Sequence, residues 1–256
     1  MSQHVLTELD DRVLRVELSR PEKKNALTPE MYRALTEALA RAESETQVRA
    51  VLIHGRPDCF SAGNDLKDFL QRPSQRGEPP AIAFLGRIAS ARKPLVAAVG
   101  GPAVGIGTTM LLHCDFVYAA PETRFQLPFV PLGIVPEAAS SLLLPHLAGY
   151  HRAAELLLLG QPFDAAKALA AGIVTGIVPQ SALLEQARSI ARALAALPPE
   201  SLRLTKELMK RQLAPAVAER MREEGRLFQE RLSSPEAVEA FTAFFEKRKP
   251  DFSRFE

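Results

Sequence analysis

The chain has 256 residues, 46% hydrophobic and 24% charged, with a formal net charge of +2. Those proportions exclude a disordered chain, and the near-balanced charge gives no reason to expect nucleic acid or an anionic membrane as partner. Cys59 and Cys114 lie far apart with no CxxC spacing, so neither a disulfide framework nor a zinc site is expected, and a reducing compartment fits.

No apolar run reaches the roughly 18 residues of a membrane span. The start, Met1-Ser2-Gln3-His4, lacks the features of a leader, and the end, Ser253-Arg254-Phe255-Glu256, is not a peroxisomal tripeptide. A cytoplasmic protein is the expectation.

Taken in chain order, His4 to Leu9 and Val13 to Leu18 alternate polar and apolar residues around Asp10-Asp11, which predicts a β-hairpin. Leu27 to Arg41 has helical periodicity, opened by Thr28-Pro29-Glu30 with proline at the first helical position. Ala50 to His54 reads as a short buried strand. Asp68 to Pro80 carries Pro73, Ser74, Gly77, Pro79 and Pro80 among charges and reads as a mobile surface loop. A strand at Leu95 to Val99 runs into the glycine-rich Gly100 to Gly107, followed by an apolar helix to Leu112 and a strand at Phe116 to Tyr118. From there helices dominate: Ala138–Leu144, Arg152–Leu159, Ala165–Ala171, Leu183–Ala196, Ser201–Leu213, Ala216–Arg231 and Glu236 to about Lys247. Strands before residue 130 and helices after it predict an α/β core with a helical region behind it.

Two segments could carry chemistry. Phe60-Ser61-Ala62-Gly63-Asn64-Asp65-Leu66-Lys67 leaves a strand with small residues, which lets backbone N–H groups face outward; an ordinary turn with Asp65 as helix cap would read the same way. Gly100 to Thr109 is again strand-to-helix, where free amides favour developing negative charge. Gly105-Ile106-Gly107 begins like a dinucleotide fingerprint, but Met110 stands where the third glycine belongs. Together the loops offer two amides at helix starts, the arrangement that stabilises an enolate or tetrahedral oxyanion.

The string FSAGNDLKDF, followed by LVAAVGGPAVGIG and CDFVYA, resembles the paired signature of the enoyl-CoA hydratase/isomerase (crotonase) family. Arg20-Pro21-Glu22-Lys23-Lys24-Asn25-Ala26-Leu27 is similar to that family's RPxxxNAL element, and the resemblance covers about residues 12 to 250. It implies a crotonase-like spiral of ββα units over residues 1–195 and a helical C-terminal trimerisation region over 196–256, assembled as a homotrimer or dimer of trimers. Apolar residues Leu194, Leu197, Leu208, Phe228, Phe241, Phe244 and Phe245 exceed what one helical layer would bury, which fits such an assembly. By the same resemblance the N–H groups of Asn64 and Ile106 form an oxyanion hole. Lys23, Lys24, Ala26, Ala62, Asp65, Leu66 and Lys67 line the CoA portion of an acyl-CoA thioester, and Lys247 and Lys249 are candidates for its phosphates. CoA enters as part of the substrate, with no separate cofactor and no metal. The 68–80 loop, joined to a helix near Ala81 that carries Ile82, Phe84 and Leu85, would order over the acyl chain.

Hydratases of the family use two glutamates. At the matching positions this chain has Thr109 and Phe129. Glu137, eight residues after Phe129, resembles the single base of the Δ3,Δ2-enoyl-CoA isomerases; read locally, Pro136-Glu137 could equally start a helix. Moving a double bond needs one acid/base group, whereas hydration needs water activation as well. The expectation is a double-bond isomerase with Glu137 as base, a raised Glu137 pKa, and Ser140-Ser141 as possible partners of its carboxylate. A hydratase or a CoA-ester binding protein without chemistry remain alternatives. His113 and Cys114 read as packed core.

Overall fold

The computed structural model describes residues 2–65 and 79–255. Strands β1 (Val5–Asp10) and β2 (Val13–Leu18) form the expected antiparallel hairpin. Asp11 and Arg12 both have positive φ, 47° and 64°, the turn geometry whose twist matches the strands it joins. Helix α1 (Pro29–Ser44) starts as the sequence predicts, with the Thr28 side chain accepting the Met31 N–H and proline in its first turn.

The chain continues through β3 (Ala50–His54), helix α2 (Pro80–Ala89), β4 (Leu95–Val99), β5 (Pro102–Val104) and the short helix α3 (Ile106–Thr109). A 3-10 turn over Met110–His113 leads to β6 (Phe116–Ala119) and β7 (Arg124–Gln126). Then come α4 (Ser140–Ala148), α5 (Tyr150–Leu159), β8 (Phe163–Asp164), α6 (Ala165–Ala170) and β9 (Gly176–Ile177). Four helices close the chain: α7 (Leu183–Ala196), α8 (Pro199–Arg211), α9 (Ala214–Leu232) and α10 (Pro235–Glu246).

The strands sort into two sheets. One has order β1-β2-β3-β4-β6-β9, parallel from β2 onward; the other has order β5-β7-β8. The pairs β4/β5 and β6/β7 each give one strand to each sheet before a helix, the repeat of the crotonase-like ββα spiral. The central strands β3 and β4 are apolar except for the buried His54, because both sheet faces are covered. Leu14, Val16, Val51 and Ile53 join Met31, Tyr32, Phe84 and Ile88 on one face. Val13, Ala50, Leu52 and Val96 meet Ala187, Ala191 and Ala195 of α7 on the other, where alanines let the helix lie close.

Two expectations change. The helix expected from Ala138 begins at Ser140, because Ala138 and Ala139 adopt left-handed φ of 63° and 56°. Of the apolar residues assigned to subunit contact, Phe228 and Phe241 are buried in this chain's own main core, while Leu197, Leu208, Phe244 and Phe245 are exposed.

Candidate active site

Two backbone segments run together at one edge of the spiral. Ser61 pairs with Ala103 in parallel, the Val104 N–H donates to the Ser61 carbonyl at 2.9 Å, and the Ser61 N–H donates to the Pro102 carbonyl at 3.0 Å. Gly63 has φ +91°, and a Cβ there would lie 2.8 Å from the Val104 carbonyl oxygen. Only glycine fits so close an approach. Neither the Asn64 nor the Ile106 N–H donates to another described residue; the two amides lie at the ends of these paired segments.

A third segment braces them. Asn25, fully buried, donates from Nδ2 to the Cys59 and Phe60 carbonyls at 3.0 and 3.1 Å and accepts the Arg20 N–H at 2.7 Å. The Ala62 N–H donates to the Lys24 carbonyl at 2.8 Å, and Arg20 holds Asp65 at 2.8 Å. Tyr32, on α1, donates to Asn64 Oδ1. Asn64 also lines a narrow cavity of about 50 Å³, together with Ala81, Ile82, Leu85, Glu137 and Phe228.

Glu137 is the one carboxyl among the described lining of this cavity. It is 8% exposed, and its Oε1 has no hydrogen-bond partner among the described residues. Burial first, and the charge of Glu224 second, push its pKa up to about 8. It lies outside any helix, so the helix-start reading of Pro136-Glu137 does not hold. The serines after it do not serve it either. Ser141 donates its N–H to Glu224 at 3.0 Å and its hydroxyl accepts from Arg220 at 3.1 Å, while Ser140 Oγ is buried without a partner. The reason is the left-handed turn between them, which swings Ser140 and Ser141 onto α4 and away from the cavity.

Glu224, on α9, has no counterpart in the sequence reading. It is 4% exposed and accepts the Ala139 N–H at 2.6 Å as well as that of Ser141. Burial pushes its pKa up, opposed by these hydrogen bonds and by Arg220. Its signal was present as a charge within an apolar stripe: Val217, Met221, Glu224 and Phe228 share one helix face.

The profile of the enoyl-CoA hydratase/isomerase family matches residues 8–254. The chain belongs to that family. It is 35% identical over 255 residues to enoyl-CoA delta isomerase 2 of Rattus norvegicus, covering 97% of this chain but only 65% of the rat protein's length. It is 32% identical over 250 residues to a probable enoyl-CoA hydratase of Mycobacterium bovis, covering 97% of both. Among solved structures, an enoyl-CoA hydratase/isomerase from Pseudoalteromonas atlantica superposes with a TM-score of 0.94 at 45% identity, covering 98% of this chain and 100% of that one.

Lys23 and Lys24 are exposed, with Lys24 and Asn25 at positive φ of 48° and 52°; Ala26, Ala62 and Asp65 are partly buried in the braced segment. Leu66, Lys67 and the 68–78 stretch lie outside the described residues. Lys247 caps α10 and Lys249 follows it, both exposed; no hydrogen bond or ion pair among the described residues joins either to the 20–27 or 62–65 segments. Thr109 and Phe129, the positions compared with the hydratase glutamates by resemblance, are buried. His113 is packed core, held neutral by burial that pulls its pKa to about 4, and burial raises Cys114 to about 12. Among the described residues no three His, Cys, Asp or Glu side chains gather as a metal set, and no helix is long and apolar enough to cross a membrane.

Proposed function

We propose that this chain is an acyl-CoA Δ3,Δ2 double-bond isomerase in which Glu137 is the single acid/base. The Glu137 carboxylate takes a proton from C2 of a 3-enoyl thioester. The electrons of that C–H bond move toward the carbonyl, and the resulting dienolate oxygen rests against the N–H groups of Asn64 and Ile106. Glu137 then returns the same proton to C4 as the C2=C3 bond forms, so no water is consumed.

The observation that carries the reading is the solitary Glu137 carboxyl in the cavity it shares with Asn64. An acid/base held near pH 8 by its surroundings can both accept and return a proton. Glu224 does not convert the site to a two-glutamate hydratase, because both its oxygens are occupied by backbone N–H groups and it is absent from the cavity lining. The cavity shares Pro79, Ile82, Met221, Gly225 and Gln229 with an apolar groove of about 690 Å³, room for a hydrocarbon tail. Lys23, Lys24, Ala26, Ala62 and Asp65 would border the CoA portion, with Lys247 and Lys249 reaching phosphates only across an assembly.

The test is turnover of 3-enoyl-CoA against hydration of 2-enoyl-CoA by the same preparation. Isomerisation that exceeds hydration supports the reading. Hydration as the faster reaction, or acyl-CoA binding with neither, would replace it.

A further inference from the structure

Ala138 and Ala139 are consecutive left-handed residues without glycine, a conformation that persists only where its surroundings enforce it. The enforcing contacts fall on a single peptide group. His113 Nε2 meets the Ala138 carbonyl at 2.9 Å, and the Glu224 carboxylate accepts the Ala139 N–H at 2.6 Å. A carbonyl can only accept, so neutral His113 carries its proton on Nε2. The carbonyl and N–H of a trans peptide point in opposite directions. The 138–139 plane is thus gripped at both ends, one residue after Glu137.

We propose that Glu224 and His113 are positioning residues for Glu137, fixing the plane of the 138–139 peptide so that the Glu137 carboxyl faces the cavity. The inference rests on Glu137 being the base. Glu224 has a second effect: its negative charge is the described ionisable group that acts on Glu137. The cavity residues of α2, Ala81, Ile82 and Leu85, carry no charge. Arg220 of α9 faces Ser141 and Glu224, Asp65 is paired with Arg20, and His113 is neutral beside Lys206 and Lys210.

Glu224→Gln keeps the size but puts an NH2 against one of the two N–H groups, and it removes the charge. The expected result is a kcat loss approaching the roughly 100-fold that an ångström of misplacement costs, with KM within about twofold. The rising limb of the pH profile should also move below about 8. Glu224→Asp, which keeps the charge, should hold that limb nearer the native position. Should Glu224→Gln fail to fold, His113→Leu against His113→Gln, which restores an N–H donor, gives the same comparison: kcat falls in the first and recovers in the second. A lowered melting temperature with kcat and pH limb unchanged would overturn the proposal and leave Glu224 as a helix cap. The infrared carboxyl band of Glu137, identified by difference against Glu137→Gln, reads its titration without reference to turnover. A band titrating at the same pH in native protein and Glu224→Gln sinks the coupling alone, whereas full turnover by Glu137→Gln sinks the base assignment itself.

Discussion

Glu137 sits where a carboxyl is held against its own preference for charge, and that has consequences for rate and stability. General acid–base catalysis is worth about 10²–10⁴-fold. Glu137→Gln is therefore expected to lower 3-enoyl-CoA isomerisation at least about 100-fold while acyl-CoA affinity, measured by titration calorimetry, changes little. If Glu137 is the base, as proposed, its ionised form starts the reaction, and kcat/KM should climb with pH and level off above about 8. For stability the direction is opposite. The folded protein keeps a proton on Glu137 that the unfolded chain, with an ordinary value of 4.5, has released. Stability from this group is thus fully present below pH 4.5 and lost as pH rises toward about 8. Glu137→Gln should melt above the native protein at pH 9, with the gap closing toward pH 4.5. A melting difference independent of pH would contradict the burial argument.

Among the elements, the paired segments 61–64 and 103–106 depend on backbone proximity more than on any side chain. Gly63→Ala would place a Cβ 2.8 Å from the Val104 oxygen at a left-handed φ, so the segments must part. Turnover should fall together with a melting-temperature loss of several degrees, the range of about 1–3 kcal/mol for a strained position. Asn25→Ala leaves the Cys59 and Phe60 carbonyls without their side-chain donor and should cost about 1–3 kcal/mol in urea unfolding. Much of this level was legible in the sequence. The hairpin, α1 with its Thr28 cap, β3, β4 and α7 are where periodicity and caps put them, because there local preference and tertiary packing agree. The turn at Ala138-Ala139 was not legible. Alanine is a strong helix former, and the contacts that overrule it come from His113 and from α9, far away in sequence. Ser140 and Ser141 are helix residues as expected, but for the same reason they do not meet the Glu137 carboxylate. The Glu224 charge in an apolar stripe was readable, but its partner was not, since no local pattern names Ala139.

For the molecule as a whole, several large apolar side chains are exposed. Leu147, Tyr150, Leu158 and Leu159 are 48%, 71%, 60% and 58% exposed on α4 and α5, and Leu208, Phe244 and Phe245 add a second set on α8 and α10. The assembly proposed from the family resemblance would cover side chains of this kind. A homotrimer or dimer of trimers is proposed, and sedimentation velocity at micromolar concentration should show it. A single monomeric species would remove the assembly and, with it, the route by which Lys247 and Lys249 could reach CoA. Phe228 and Phe241, packed in the same core as the sheet, belong instead to the stability of each chain.

The bond from Ala139 to Glu224 also joins residues 85 apart in sequence. On a chain made from its N-terminus, the sheets, both amide loops and Glu137 are all present before α9 emerges. On the proposal that Glu137 is the base and Glu224 positions it, the carboxyl would be aimed only once that helix docks. Refolding from urea should therefore recover circular dichroism before it recovers turnover, with the lag lengthened by changes in α9 that leave the sheets untouched. A newly made or partly unfolded chain would hold every reacting group and still be silent, competent only when its last third has closed over the first two.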